Sequence, residues 1–212
     1  MLTLYYAPGT CALVTHIALE EAGATYEAKA LDFAKGEQRS EDYLAINPHG
    51  RVPALVTDEG VITENLAILG YIADRFGAEG SVPRGDALAT ARAMQLLSWL
   101  SGTMHGTAFA ALFRPARFSA DDNVQKGIAE GARANLSSHF VELDDLCGSG
   151  WLAGDGFTAA DSYAAVFHRW ARAAKFDMSL YPRWTALAGR VVERPAVARA
   201  IEAEGLKIES FA

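Results

Sequence analysis

The sequence predicts an α/β domain followed by an all-α domain. Up to about residue 76, β-rich runs alternate with segments of helical period. A stretch with two glycines and a proline-arginine pair, residues 78–85, then breaks the pattern, and every periodic segment beyond it repeats as a helix does. We therefore expect an N-terminal domain over residues 1–77, a linker over 78–85 and a helical domain over 86–212.

The N-terminal elements follow the order βαβ, loop, ββα. The predicted strands are Leu2–Tyr6, Tyr26–Leu31, Ala54–Val56 and Val61–Ile62, and the predicted helices are residues 11–22 and Glu64–Phe76. The polar segment from Asp32 to Asn47 is expected to hold one or two irregular helical turns. A parallel βαβ unit joined to a hairpin and a closing helix gives one four-stranded mixed sheet, which is the order of a thioredoxin-like fold.

The second half is predicted to be a helical bundle. A helix over Asp86–Gly106 carries an apolar stripe that includes Leu96 and Met104, and Arg114-Pro115 interrupts the pattern after it. Thr158 and Asp161 form a capping box at the start of a buried helix. The other predicted helices are Asp121–Cys147, Pro182–Glu193 and Ala196–Glu204.

Composition narrows the class of protein. Hydrophobic residues make up 50% of the 212 positions, which is typical of a globular chain. The net charge of −7 argues against nucleic acid or an anionic membrane surface as the main partner. The chain has no apolar run of membrane-spanning length, and its start lacks the basic region of a secretion signal. The two cysteines, Cys11 and Cys147, form no disulfide framework, so we expect a reduced, cytoplasmic protein.

One stretch indicates a ligand site. It runs from Asn47 to Thr57 and carries Pro53 at the head of a short apolar run. This proline removes a backbone donor, so Val52 keeps its amide and carbonyl for an extended ligand. The step Thr63-Glu64-Asn65 puts a hydroxyl, a carboxylate and unpaired helix amides at one point. Alone that step is more simply a helix cap, but together the two segments fit a short peptide with an ammonium and a carboxylate.

These motifs resemble the cytosolic glutathione transferases, and specifically the bacterial, cysteine-bearing beta class. The resemblance covers nearly the whole chain in the family's order and spacing. It is carried by Tyr5-Tyr6-Ala7-Pro8-Gly9-Thr10-Cys11, the segment Asn47–Leu55, Thr63-Glu64, Leu112-Phe113-Arg114-Pro115, the Thr158–Asp161 box and Glu193-Arg194-Pro195.

The resemblance implies glutathione as co-substrate and assigns residues to it. Val52 would pair its backbone with the cysteinyl part beside a cis Pro53, while Glu64 and Asn65 would hold the γ-glutamyl end. Lys35 lies where a lysine often approaches the glycyl carboxylate, and Tyr6 is a weaker candidate. The sequence departs from the family at Asn65 and at Ala12, where serine is common in both cases.

Cys11 and His105 are the candidate catalytic residues. Cys11 stands at a helix start, which favours a thiolate. Lowering its pKa by ~2 units takes about 2.7 kcal/mol, and a helix terminus (up to ~2 kcal/mol) with one hydrogen bond (~1.5–3 kcal/mol) would suffice. The resemblance implies that Cys11 faces the glutathione sulfur and that His105 donates to the thiolate or moves a proton. Without it, a buried apolar cysteine and a structural histidine are the simpler interpretations.

The electrophile is expected between the two domains. Candidate wall residues are Ala7, Pro8, Met104, Phe109, Phe113 and Trp170. Helical spacing alone favours assigning most of them to the bundle core. The remaining histidines, His16, His49, His139 and His168, show no metal-ligand spacing, so no metal is expected and we interpret them as surface or satisfied residues.

The resulting hypothesis is a homodimeric glutathione transferase that attacks small hydrophobic electrophiles in detoxification. The dimer is implied by the resemblance alone. Two alternatives stay open. One is a monothiol redox enzyme using Cys11 as a peroxidase or disulfide reductase, since no second cysteine follows two residues later. The other is a non-catalytic binding protein on the same fold.

Overall fold

A four-stranded sheet forms the N-terminal half of the chain in the computed structural model, which describes residues 1–77 and 80–211. Its strands are β1 (Leu2–Tyr6), β2 (Tyr26–Ala30), β3 (Ala54–Thr57) and β4 (Gly60–Thr63). They lie in the order β2-β1-β3-β4, with β1 parallel to β2 and antiparallel to β3, and with β3 antiparallel to β4. The predicted mixed sheet is confirmed.

Three helices accompany the sheet: α1 (Ala12–Glu21), α2 (Glu41–Ile46) and α3 (Asn65–Phe76). Every α1 residue from Ala12 to Leu19 is buried, because α1 contacts α3 and also α7 and α9 of the second half. A helix buried all round needs no amphipathic stripe. α1 therefore forms the contact through which the two halves share one core.

The second half is built mainly of helices. Its elements are α4 (Ala87–Ser98), a π-helix (Trp99–Phe109), α5 (Ala110–Phe113), a 3₁₀ turn (Pro115–Arg117), α6 (Asp122–Leu146), α7 (Ala159–Ala173), α8 (Pro182–Val192) and α9 (Pro195–Ala203). The predicted helix over Asp86–Gly106 is α4 followed by the π-helix, and the helical run continues beyond Gly106 into α5. The sequence analysis did not predict the π-helical turns. The capping box is confirmed, with the Thr158 amide donating to Asp161 Oδ2 at 2.9 Å.

The segment between the halves is bonded to both of them. Ala78 and Glu79, which belong to the predicted linker, lie outside the described residues. Ser81 Oγ donates to the Leu69 carbonyl of α3 at 2.6 Å, and the Ala159 amide donates to the Ser81 carbonyl at 3.0 Å. Among the described residues, the search for a helix with the length and apolar character of a membrane span finds none.

Candidate functional site

A tight loop between β1 and α1 positions the first candidate catalytic residue. Gly9 has a φ of +69°, a left-handed conformation that glycine adopts without strain. Its amide donates to Glu204 Oε2 at 2.8 Å, and its carbonyl accepts from Trp170 Nε1 at 2.9 Å. Arg169 Nη1 reaches the same carbonyl at 3.4 Å. Residues from the second half of the chain therefore bond both the amide and the carbonyl of Gly9, which lies two positions before Cys11.

Glu204 also connects this loop to a buried histidine. Its Oε1 lies 3.0 Å from His16 Nδ1, and both side chains are almost completely excluded from solvent. The His16 ring packs at 5.1 Å from Tyr6 and 5.7 Å from Tyr26. His16 is thus a satisfied core residue. Sequence reasoning missed Glu204, since nothing local separates it from the exposed glutamates around it.

Cys11 lies at the N-cap of α1 with its thiol turned inward. The Sγ donates to the Val52 carbonyl at 3.8 Å, so the structure brings these two predicted site residues together. Burial is the largest influence on the thiol and raises its pKa to about 12, against a smaller lowering by Arg114. The expectation that the helix start would hold Cys11 as a thiolate is therefore wrong, because loss of hydration outweighs the helix dipole.

Hydrogen bonds to Arg51, the residue before Val52, fix the loop that carries Val52. The Arg51 carbonyl accepts from the Tyr43 hydroxyl at 2.6 Å and from Asn47 Nδ2 at 2.7 Å. The Val52-Pro53 peptide bond is cis, in agreement with what the resemblance implies. With Arg51 held on one side and Pro53 packed in the core on the other, Val52 presents its backbone beside the Cys11 thiol.

Glu64 and Asn65 stand at the start of α3 but face in different directions. Glu64 has a φ of 67°, a strained value for a side-chain-bearing residue that is typical of ligand sites, and it is exposed. The buried Asn65 donates from Nδ2 to the Cys11 carbonyl at 3.0 Å and accepts from Thr15 Oγ1 at 2.5 Å. The Asn65 side chain thus joins α1 to α3, and its contact with the γ-glutamyl carboxylate stays a prediction.

His105 projects from the π-helix against aromatic side chains. Its ring centroid lies 5.2 Å from that of Trp170 and 6.3 Å from that of Phe167. Burial, together with the smaller effect of the positive charges of Arg114, Arg117 and Arg51, lowers its pKa to about 4. His105 is therefore neutral near pH 7, so it is suited to donating a hydrogen bond rather than to carrying a proton.

Comparisons with known proteins match both halves of this fold. Sequence models described as "Glutathione S-transferase, N-terminal domain" and "Glutathione S-transferase, C-terminal domain" match residues 1–74 and 126–190. The chain belongs to the glutathione S-transferase family. It is thus an enzyme of that family, with glutathione as its co-substrate.

Individual members of the transferase family align over nearly the full length. Glutathione S-transferase GST-4.5 of Xanthomonas campestris is 36% identical over 204 residues, 96% of this chain and 98% of that protein. The beta-class transferase of Sphingomonas chungbukensis is 39% identical with a TM-score of 0.82, over 97% of this chain and 100% of that one. A Sulfitobacter homologue solved with bound glutathione is 32% identical with a TM-score of 0.88, covering 98% and 99%.

Tyr6 and Lys35 of this transferase, which were predicted to contact glutathione, have other partners in the structure. The Tyr6 hydroxyl donates to the Ala203 carbonyl of α9 at 3.4 Å, and its ring packs against His16. Lys35 Nζ lies 3.2 Å from Asp32 Oδ2, with 74% of its side chain exposed. Neither contact brings these side chains to the Cys11 thiol. Ala12, the second departure from the family, is buried in the core, and the hydroxyl nearest its amide belongs to Thr10 at 3.3 Å.

The predicted electrophile walls divide into core and surface residues. Met104 and Phe109 are fully buried in the main core, as helical spacing alone suggested. Phe113 is 48% exposed, and its ring lies 6.2 Å from that of Trp170. Ala7 and Pro8 line a cavity of about 380 Å³ together with Thr10, Ala30, Leu31, Asp32, Phe33 and Glu37. No group of metal-ligating side chains occurs within the described part of the transferase.

Proposed function

We propose that this transferase binds glutathione along the Val52–Pro53 loop and adds its thiolate to small hydrophobic electrophiles. The observation that carries the proposal is the Cys11 thiol, buried, protonated and directed at the Val52 carbonyl. A protonated thiol is a hydrogen-bond donor, so Cys11 is suited to stabilising a second sulfur in its charged form. In the free protein that donor is directed at a carbonyl, and a glutathione thiolate would be the stronger acceptor.

The other site residues complete the assignment. The exposed Glu64 carboxylate would bind the γ-glutamyl ammonium, and the first amides of α3 would bind its carboxylate. Neutral His105 would donate from the electrophile side, and the Arg114 charge, which already acts on both Cys11 and His105, would favour the anion. Tyr6 and Lys35 have other partners, so we give them no role in the reaction.

The chemical step needs no further reactant. The glutathione thiol releases its proton to solvent, and the thiolate sulfur donates an electron pair to the electrophilic carbon. With an aryl chloride, a C–S bond forms, the C–Cl bond breaks and chloride leaves with the bonding pair. Phe113 and Trp170 would hold the apolar part of the electrophile and keep water from the sulfur.

We further propose a cytoplasmic homodimer that acts in detoxification. Two free, buried cysteines fit a reducing compartment. The dimer rests on the resemblance to the transferases, so sedimentation at several protein concentrations is the direct check. A single species at the mass of one 22.7 kDa chain would overturn it.

The first test follows thiolate absorbance of protein-bound glutathione against pH. We expect ionisation ~2 pKa units below that of a free cysteine-type thiol (~8.5). His105→Ala should raise that pKa by about 1 unit, the equivalent of one hydrogen bond to a charged sulfur, and should change glutathione affinity little at a pH where the bound thiol is protonated. His139→Ala removes another partly buried histidine and serves as the control.

The outcomes of this titration separate the hypotheses. If affinity collapses in His105→Ala, the histidine positions the peptide and its sulfur-side role is wrong. Binding without any shift of the thiol pKa would favour a carrier, and no binding would contradict the assignment of the peptide site.

Cys11→Ser distinguishes conjugation from redox chemistry. Serine keeps a hydrogen-bond donor, so conjugation should survive with kcat lowered about tenfold, roughly 1.4 kcal/mol. Thiol–disulfide exchange should vanish, since it requires the sulfur. A thiol with a pKa of about 12 is itself a poor nucleophile near neutral pH, which favours conjugation as the main reaction. Cys147→Ser changes the other buried cysteine and is the control, and complete loss of conjugation in Cys11→Ser alone would overturn the donor role.

A further inference from the structure

Four arginines carry charges that act on His105 or on one another. This arginine cluster consists of Arg39 and Arg51 from the sheet half and of Arg114 and Arg117 from the helical half. Arg39 ends a 3₁₀ turn and lays its guanidinium against Gly50, the neighbour of Arg51. Arg114 and Arg117 lie at the two ends of the turn that follows Phe113. All four side chains are exposed, so solvent or a bound molecule can reach them.

The cluster has no acidic partner. None of the four guanidinium groups forms an ion pair or a hydrogen bond with the residues that the structure describes, and their mutual repulsion helps to lower the pKa of Arg117. Several other arginines are paired with carboxylates, as in Arg84–Asp74, Arg183–Asp144 and Arg199–Glu20. In a chain of net charge −7, a cluster of four unpaired arginines is an isolated positive region suited to an anion.

The cluster adjoins the reaction centre on the electrophile side. The charges that act on His105 come from Arg114, Arg117 and Arg51, and Arg114 also acts on Cys11. Geometry agrees with this position: Arg114 directly follows Phe113 in the chain, the Phe113 ring lies 6.2 Å from that of Trp170, and the Trp170 ring lies 5.2 Å from that of His105. Next to them Phe113 is exposed on a wall completed by Trp170. An aromatic face beside planar guanidinium groups suits an aromatic ring that carries an anionic group.

We propose that Arg114 and Arg117 select aromatic electrophiles that carry a carboxylate or sulfonate, which they bind beside Phe113. The proposal rests on the transferase function described above and names the substrate class of the same site. Arg39 and Arg51 belong to the cis-proline side, where the peptide binds. Arg114 and Arg117 belong to the helical side and flank the aromatic wall, so their charge acts on the electrophile.

The test compares two glutathione conjugates by calorimetry, S-benzylglutathione and S-(4-carboxybenzyl)glutathione, with the 3-carboxybenzyl isomer as a second geometry. The wild-type protein should bind at least one carboxylated conjugate about tenfold more tightly than the neutral one, ~1.4 kcal/mol. In the double variant Arg114→Gln/Arg117→Gln, the ratio of the affinity for the carboxylated conjugate to that for the neutral conjugate should fall to about one. Raising the salt from about 0.05 M to about 0.5 M should reduce it in the wild type.

Arg92→Gln is the matched control. Arg92 is an exposed arginine on α4, about 20 Å before His105 along the helical run, so its loss should leave the ratio unchanged. Equal wild-type affinity for neutral and carboxylated conjugates overturns this proposal and leaves the transferase function intact. Equal weakening of all conjugates in the double variant also overturns it, because the two arginines would then hold the peptide. Binding of no conjugate overturns the peptide site itself.

Discussion

Replacing Glu204 by alanine should lower the free energy of unfolding by about 3–5 kcal/mol, since each buried polar group that loses its partner costs roughly 1–3 kcal/mol. The change leaves His16 and the Gly9 amide unpaired in a region that water does not reach. For a chain of this size the loss amounts to roughly 10 °C in Tm. Thermal unfolding by circular dichroism measures it.

The same variant should lower kcat/KM even at temperatures where it is folded. Gly9 lies two residues before Cys11. Without Glu204, the remaining hydrogen bonds from described residues to Gly9 come from Trp170 and Arg169, both to its carbonyl. A displacement of about 1 Å at a catalytic group can cost on the order of 10²-fold in rate. We therefore expect a fall of this size, measured well below the Tm of the variant.

Glu204→Gln is the control for this prediction. Its amide oxygen can still accept from the Gly9 amide, so it should restore much of the rate even where stability stays reduced. If Ala and Gln variants lose rate in proportion to lost stability alone, Glu204 supports the fold but does not position the loop.

Secondary structure was predictable because its signals are local. Three such signals are the β-rich run of β1, the turn between β3 and β4, and the capping box from Thr158 to Asp161. Each depends on a few neighbouring residues, and the structure contains all three features. The π-helix was missed because its sequence satisfies the ordinary helical period as well. The resemblance assigned Cys11 and Val52 to neighbouring parts of glutathione, and the structure places the two residues in contact.

The electrostatics of the site were not predictable, because burial and long-range pairing set them. The helix start favours a Cys11 thiolate, and only the packing around it reverses the balance. Asn65 was assigned to a ligand carboxylate, but its partners, the Cys11 carbonyl and Thr15, lie about 50 positions away in sequence. Glu204 meets Gly9 across 195 positions. No local pattern encodes such a contact.

One consequence of burial is a pH dependence of stability that should be large below neutral pH. His168 on α7 is completely buried, with Nε2 3.0 Å from Thr185 Oγ1 and its ring 5.3 Å from that of Trp184. Burial lowers its pKa to about 4, whereas the unfolded value is about 6.5. Between these values the unfolded chain binds more protons, so the free energy of unfolding falls as the pH drops from 6.5 towards 4.

We expect His168 alone to lower the free energy of unfolding by about 2 kcal/mol between pH 7 and pH 5. Urea unfolding at each pH measures the loss. His168→Gln keeps a partner for Thr185 but cannot be protonated, so it should flatten this slope even if it lowers stability at pH 7. His49→Gln, at an exposed histidine, should leave the slope as it is. An unchanged slope in His168→Gln would assign the pH dependence to other groups, among them His105, whose pKa is also lowered to about 4.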